Sequence, residues 1–238
     1  MIKKPPQVLI VGAGPSGLMM AHELMRYGIR PRIIEKELKK STYSRAIGVQ
    51  IRTLEIFKAL GLYEKLVAKA KTISAMEIYA EGRKPVRINI ENAHSEFIFP
   101  HIIDETHTEQ VLEEAIEALG LHIERGVLLT KLTKENDHVV ACFKENEEES
   151  SARFSYVIGA DGAHSIVRKS MSNQFLGSAY DDAFILADAI CKTDKAPDSF
   201  RVFFKDKLFL AMIPMHGEGH YRLISVRRND LKKEGPNP

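Results

Sequence analysis

The segment Gly12-Ala13-Gly14-Pro15-Ser16-Gly17 has the spacing G-x-G-x-x-G. In such a run the first glycine allows a tight turn, the second lets the backbone approach a diphosphate, and the third lets a helix pack close to a strand. Free N–H groups and the positive dipole end at a helix start then favour the anion. Glu35, with Lys36 beside it, stands roughly 18 residues beyond Gly17, where a carboxylate can accept hydrogen bonds from ribose hydroxyls. The chemistry these residues can do is to grip the ADP-ribose part of an adenine dinucleotide. A plain structural turn would need only one or two of the glycines. The pattern does not separate NAD from FAD, since both carry the same ADP-ribose end, but Glu35 argues against a 2′-phosphate here.

A loop of this kind works only between a strand and a helix. Gln7 to Val11 is a short apolar run ending at glycine, as a strand buried on both faces of a parallel sheet does. From Gly17 to Tyr27 the period turns helical, with Leu18, Ala21, Leu24 and Met25 recurring and Gly28 as a stop. Arg32 to Glu35 reads as the next strand, which completes a βαβ unit and requires parallel pairing. Helices are expected over 53–60 and on through about 71, and an antiparallel pair over 76–80 and 86–90. Another helix is expected over 108–119, with Val111, Leu112, Ala115, Ile116 and Leu119 inward. Strand-like runs then lead to Gly159, and the acidic cluster Glu145 to Glu149 reads as a solvated hairpin tip. Beyond Ser170 come four separated strands, 184–190, 201–204, 208–213 and 220–226, before a linker-like tail. The fold class is α/β: a Rossmann-like domain over 1–174 with an antiparallel insertion at about 74–103, then the start of a β-rich domain over 175–238.

Composition narrows the possibilities. The 238 residues carry 34 Lys+Arg against 32 Asp+Glu, a net charge of +2, which gives no reason to expect a nucleic-acid partner. A hydrophobic content of 44% excludes global disorder. Cys142 and Cys191 have neither CxxC nor zinc-ligand spacing, so no metal is indicated and a reducing cytoplasm is the simplest home. The stretch after Lys3 and Lys4 is broken by three glycines, Pro15, His22 and Glu23, a poor signal sequence. No window approaches the roughly 18 apolar residues of a membrane span.

Two further segments carry a resemblance. Ser44-Arg45-Ala46-Ile47-Gly48-Val49-Gln50-Ile51-Arg52-Thr53-Leu54-Glu55, followed by Leu60-Gly61-Leu62, resembles the segment after the second strand of class A FAD-dependent aromatic monooxygenases, typified by para-hydroxybenzoate and phenol hydroxylases. Tyr156-Val157-Ile158-Gly159-Ala160-Asp161-Gly162-Ala163-His164-Ser165-Ile166-Val167-Arg168 resembles that family's D-G-x-x-S-x-x-R motif at a strand-to-helix turn. The resemblance continues through Phe175-Leu176-Gly177 and Phe184 to Asp188 as far as Pro214. It implies a glutathione-reductase-type FAD-binding domain and the beginning of a substrate domain. It further implies that Arg45 lies against the flavin and that Asp161 and Gly162 serve FAD and NAD(P)H contacts. By the same resemblance the enzyme would use NAD(P)H and O2 to hydroxylate a small aromatic substrate.

The sequence departs from the family in two places. Where the family usually carries a cofactor-contacting glutamine this chain has Glu105, whose carboxylate a diphosphate would repel, although Asp104 and Glu105 are also residues that a helix start favours. The family's later G-D motif is missing, so the chain reads as the N-terminal part of a larger enzyme. No general base is assigned; Tyr180, Tyr221 and His216 are candidates by residue type alone. Two other readings stay open, another FAD-dependent oxidoreductase of the same fold (reductase, epoxidase or halogenase) and a non-catalytic FAD-binding remnant. Substrate identity and oligomeric state do not follow from the sequence.

Overall fold

A computed structural model describes residues 7–40, 46–81, 83–90, 97, 100–178, 183–193, 198–206 and 208–227. In chain order the first elements are β1 (Val8–Val11), α1 (Pro15–Arg26), β2 (Arg32–Glu35), β3 (Gly48–Val49), α2 (Ile51–Ala59), α3 (Tyr63–Val67), β4 (Lys71–Thr72), β5 (Ala75–Ala80), β6 (Val86–Asn89) and β7 (His101–Ile102). There follow α4 (Glu105–Ala118), β8 (Glu124–Arg125), β9 (Leu128–Lys134), β10 (Val139–Glu145), β11 (Glu148–Phe154), β12 (Tyr156–Gly159) and α5 (Ile166–Ser170). Four long strands close the chain: β13 (Ala183–Ile190), β14 (Ser199–Lys205), β15 (Leu208–Pro214) and β16 (His220–Arg227). These divide into two compact units, each built from two segments: 1–45 with 105–176, and 46–104 with 177–238.

The first unit holds the expected βαβ. Its parallel sheet has the order β12-β1-β2-β8, with Val8 opposite Tyr156 and Leu9 opposite Arg32. All four residues of β1 are buried, because this strand has a neighbour on each edge and elements on both faces. Helix α1 buries Gly17, Leu18, Ala21 and His22 and packs on α4, which buries Val111, Leu112, Ala115 and Ile116. Helix α4 begins one turn earlier than its apolar period, at Glu105, where the helix dipole favours an acidic side chain. On the sheet's other side, Leu9, Val11 and Ile34 join Leu129, Phe143 and Phe154 from the antiparallel meander β9–β11 in one core. Phe143 and Phe154 meet edge to face with centroids 6.3 Å apart, and the Arg32 guanidinium lies 4.4 Å from the Phe143 ring centre while pairing with Glu124. The acidic tip turns through Asn146 and Glu147, both at positive φ (45° and 69°), with Glu145 opposite Glu148.

The second unit is organised by a six-stranded sheet in the order β13-β16-β15-β14-β5-β6. Strands β5 and β6 form the antiparallel pair read from the sequence, with Ala75 opposite Asn89. They do not form an insertion in the first unit, because β5 also runs parallel to β14, with Ala75 opposite Ser199. Alternation along a strand reports its two faces but not its lateral partner, so this pairing was invisible in the periodicity. Two buried guanidinium groups are paired here with less buried carboxylates, Arg201 with Glu77 and Arg222 with Asp188. Glu77 accepts from Tyr79 Oη at 2.9 Å, Arg87 Nη1 at 2.8 Å and Arg201 Nε at 3.3 Å. The cross-strand neighbour Arg222 donates to both oxygens of Asp188, at 2.7 and 2.8 Å. The edge strand β13 leaves Phe184, Ile185, Leu186 and Ile190 exposed.

Candidate dinucleotide site

The glycine loop is closed by contacts that only hydrogen atoms permit. Gly12 has φ +100°, donates its N–H to Ile34 O at 2.9 Å, and a Cβ added to it would lie 2.3 Å from Ala160 O. A Cβ on Gly17 would lie 2.0 Å from Gly12 O, so this glycine sets how closely α1 crosses the loop. Gly14 is different. Its backbone (φ −73°, ψ −179°) is open to any residue, and among the described residues the one atom within 4 Å of its missing Cβ is Glu109 Oε1 at 3.9 Å. Gly14 is the N-cap of α1, Pro15 occupies the first turn, and no side chain caps the helix; Ser16 is exposed. The unpaired amides of this turn therefore open onto the space beside Gly14.

Glu35, at the end of β2, is held from both sides. Its Oε2 accepts from Ala13 N at 2.9 Å and its Oε1 from Glu37 N at 3.0 Å. Each oxygen keeps a second lone-pair direction for an outside donor. A cavity of about 470 Å³ opens beside it, with Gly12, Glu35, Lys36, Asp161 and Gly162 on its wall and Val127, Leu129 and Ile166 as its apolar floor. Five of the ten residues singled out from the sequence thus line one cavity, and Gly14, Pro15, Ser16 and Gly17 form the helix start next to it. Lys36 is exposed, 3.7 Å from Glu37. Arg45 lies outside the described residues, as does Tyr180; His216 and the buried Tyr221 border a separate cavity of about 90 Å³ in the second unit.

At the second turn the carboxylate is employed locally. Asp161 Oδ1 accepts from Ser165 Oγ at 2.6 Å, and Oδ2 from the amides of Ile166 at 2.7 Å and Val167 at 3.3 Å. Ser165, the N-cap of α5, in turn accepts from Arg168 N at 3.0 Å. Gly162 has φ +73° and, among the described residues, nothing within 4 Å of its missing side chain, so its role is conformational. Arg168 donates to Ala163 O at 3.0 Å and stacks on Phe175 at 4.8 Å. Two cavity-lining residues, His164 and Lys169, add donors on this wall; Lys169 had no signal beyond its place one helical turn after Ser165.

Glu105 was the side-chain departure to test. Glu105 starts α4, and Glu109 sits one turn further on, half-buried. Burial pushes the Glu109 carboxyl above the usual glutamate range, helped by Glu105, and Arg125 only partly opposes this. Glu113, buried on the same helix, is paired with Lys40 at 2.7 Å and Arg125 at 3.0 Å. The backbone of the loop therefore fits a diphosphate, while the side chains across from it bring like charge.

Comparison with known proteins shows the family. Residues 6–238 match the model of a family described as FAD binding domain, and the chain belongs to that family. It is 32% identical over 223 residues to 6-methylpretetramide 4-monooxygenase of Streptomyces rimosus, covering 93% of this chain and 40% of that protein. To rifampicin monooxygenase of Streptomyces venezuelae it is 35% identical over 241 residues, covering 95% of this chain and 49% of the relative. The chain thus spans less than half the length of either. The fold matches the crystal structure of p-nitrophenol 4-monooxygenase PnpA from Pseudomonas putida DLL-E4 with a TM-score of 0.84 at 18% identity, over 94% of this chain and 58% of that one. The α/β fold class expected from the sequence is the one found. Among the described residues no helix is long and apolar enough to cross a membrane, and no group of three or more metal-ligating side chains occurs.

Proposed function

We propose that this chain is the FAD-binding portion of a monooxygenase that uses NAD(P)H and O2 to hydroxylate a small aromatic compound. The observation that supports this most strongly is the pairing of an uncapped α1, opening beside Gly14, with a Glu35 carboxylate oriented by Ala13 N. In this reading the amides of the first turn hold the FAD diphosphate and Glu35 holds the adenosine ribose. Val127 and Leu129 offer the adenine an apolar wall, and Lys36, Asp161 and Gly162 shape the cavity's rim. Arg45 is assigned to the flavin by resemblance. Bound FAD supplies the redox chemistry, taking hydride from NAD(P)H and activating O2. The protein's own part is to bind, orient and shield it. Residues 1–174 are assigned to cofactor binding and 175–238 to the substrate domain, with β5 and β6 sharing its sheet. Free Cys142 and Cys191 suit a cytoplasmic setting.

The test is to purify the 238-residue chain, record its visible flavin absorbance, and follow NADPH oxidation with a panel of phenols. Yellow protein whose NADPH use rises with a phenol supports a hydroxylase; yellow protein without that response points to another oxidoreductase of the fold. The exposed apolar residues of β13 favour a second reading, in which the chain is a non-catalytic FAD-binding remnant.

A further inference from the structure

One acidic residue at the glycine loop has no task in holding a ribose. Glu109 Oε1 lies 3.9 Å from the point where a Gly14 side chain would begin, so a carboxyl group borders the space onto which the uncapped amides of α1 open. Its surroundings are strongly acidic: Glu105 and Glu113 come from α4 and Glu35 from β2, against Arg125 from β8. Arg125 is already paired with Glu113, which also holds Lys40. Helix α1, packed on α4, contributes His22, Glu23 and Arg26, and these engage one another, with Glu23 at 3.0 Å from Arg26 and 3.3 Å from His22. The balance of charge and burial around Glu109 disfavours its ionised form even before an anion arrives. A diphosphate adds negative charge to the same space.

We propose that Glu109 takes up a proton from solvent when the diphosphate of FAD binds at the glycine loop, so that the cofactor sits beside a neutral carboxyl instead of a second anion. This rests on the reading of the loop as the FAD site. The linkage has a definite sign. Binding raises the proton affinity of Glu109, so FAD affinity is full at pH values below the free protein's titration and declines as pH rises towards that of the complex. At its steepest the decline is about tenfold in Kd per pH unit, the limit for one proton. An uncharged isostere removes both the proton and the repulsion.

The experiment titrates the 238-residue chain with FAD from about pH 5.5 to about pH 8.5, a window that brackets a raised carboxyl. Flavin fluorescence reports Kd, and calorimetry in two buffers of different protonation enthalpy counts the protons. Wild type should gain a fraction of a proton rising to one per FAD, and its Kd should increase with pH. E109Q should lose that uptake and bind FAD about tenfold or more tighter at the alkaline end. E117Q, an exposed change two turns further along α4, should behave as wild type. If wild type binds FAD without proton uptake, or E109Q keeps the wild-type proton count, the proposal is overturned while the loop remains the FAD site. If wild type binds no FAD at any pH, the assignment of the loop falls and the proposal with it. Should E109Q fail to fold, the proton count of wild type alone decides.

Discussion

Two strand-to-helix turns lie side by side in the first unit, at the ends of the paired strands β1 and β12, and they treat the helix that follows in opposite ways. After β12, Asp161 and Ser165 satisfy three amides of α5 with their own oxygens. After β1, Gly14 and Pro15 offer α1 no side-chain oxygen at all. The four orphan N–H groups of a helix start must be paired or solvated, so a helix that caps itself is finished, whereas one that does not is available to an outside anion. The difference separates the two motifs that look alike on paper, a glycine turn and an Asp-Gly turn. On the proposed reading, the first is completed by the FAD diphosphate and the second is stable without a ligand.

The comparison can be broken or sharpened by substitution. The largest effect is expected from Gly17→Ala, whose Cβ would meet Gly12 O at 2.0 Å. Unless the loop opens, this costs about 3 kcal/mol or more, read as a lower urea midpoint. Gly14→Asp sharpens the contrast, because its backbone and the open space beside it tolerate a side chain. FAD affinity should fall at least a hundredfold, or about 3 kcal/mol, at an unchanged urea midpoint; intact affinity would remove the diphosphate from this loop. Next comes Glu35→Ala, expected to weaken FAD by about 1 to 3 kcal/mol through lost charged hydrogen bonds, as seen in an equilibrium fluorescence titration.

Asp161→Ala should do the reverse of Gly14→Asp. Loss of its capping contacts lowers stability by about 1 to 2 kcal/mol, and equilibrium unfolding should register more change than FAD binding. The smallest effect belongs to the second unit. Hydrogen bonds from Arg222 hold the Asp188 carboxyl below the usual aspartate range. A carboxyl depressed in the folded state contributes stability above its unfolded pKa, and that contribution disappears as pH falls through the lower, folded value. Asp188→Asn should therefore lower the unfolding midpoint slightly at neutral pH and flatten its acid limb, converging on wild type as pH falls through the folded value.

Local pattern made the βαβ unit legible: β2 runs over Arg32–Glu35 as the apolar period says, and Glu35 reaches the loop through Ala13 N. The strands expected over 184–190, 201–204, 208–213 and 220–226 fall within β13 to β16, because each is a well-separated run between turn signals. Hidden from the sequence were the relations that chain separation conceals. No periodicity reports that β5 seeks β14, that Arg222 finds Asp188 across a strand pair, or that Glu109 looks at Gly14. The D-G motif was seen, but not that its carboxylate would be turned onto its own helix, since capping depends on where α5 begins.

The parallel pairing of β5 with β14 has a consequence for how this protein is made. Ser74 and Asp198, hydrogen-bonded at the start of that pairing, are 124 residues apart. At a synthesis rate of about 5–20 residues per second, β5 emerges on the order of ten seconds before the strand that will shelter its edge. During that interval its unsatisfied backbone is open to other chains, and non-local parallel pairings are slow to close. Chaperone present during synthesis should therefore raise the second unit's yield on expression, whereas slowed translation, which lengthens the wait, should lower it.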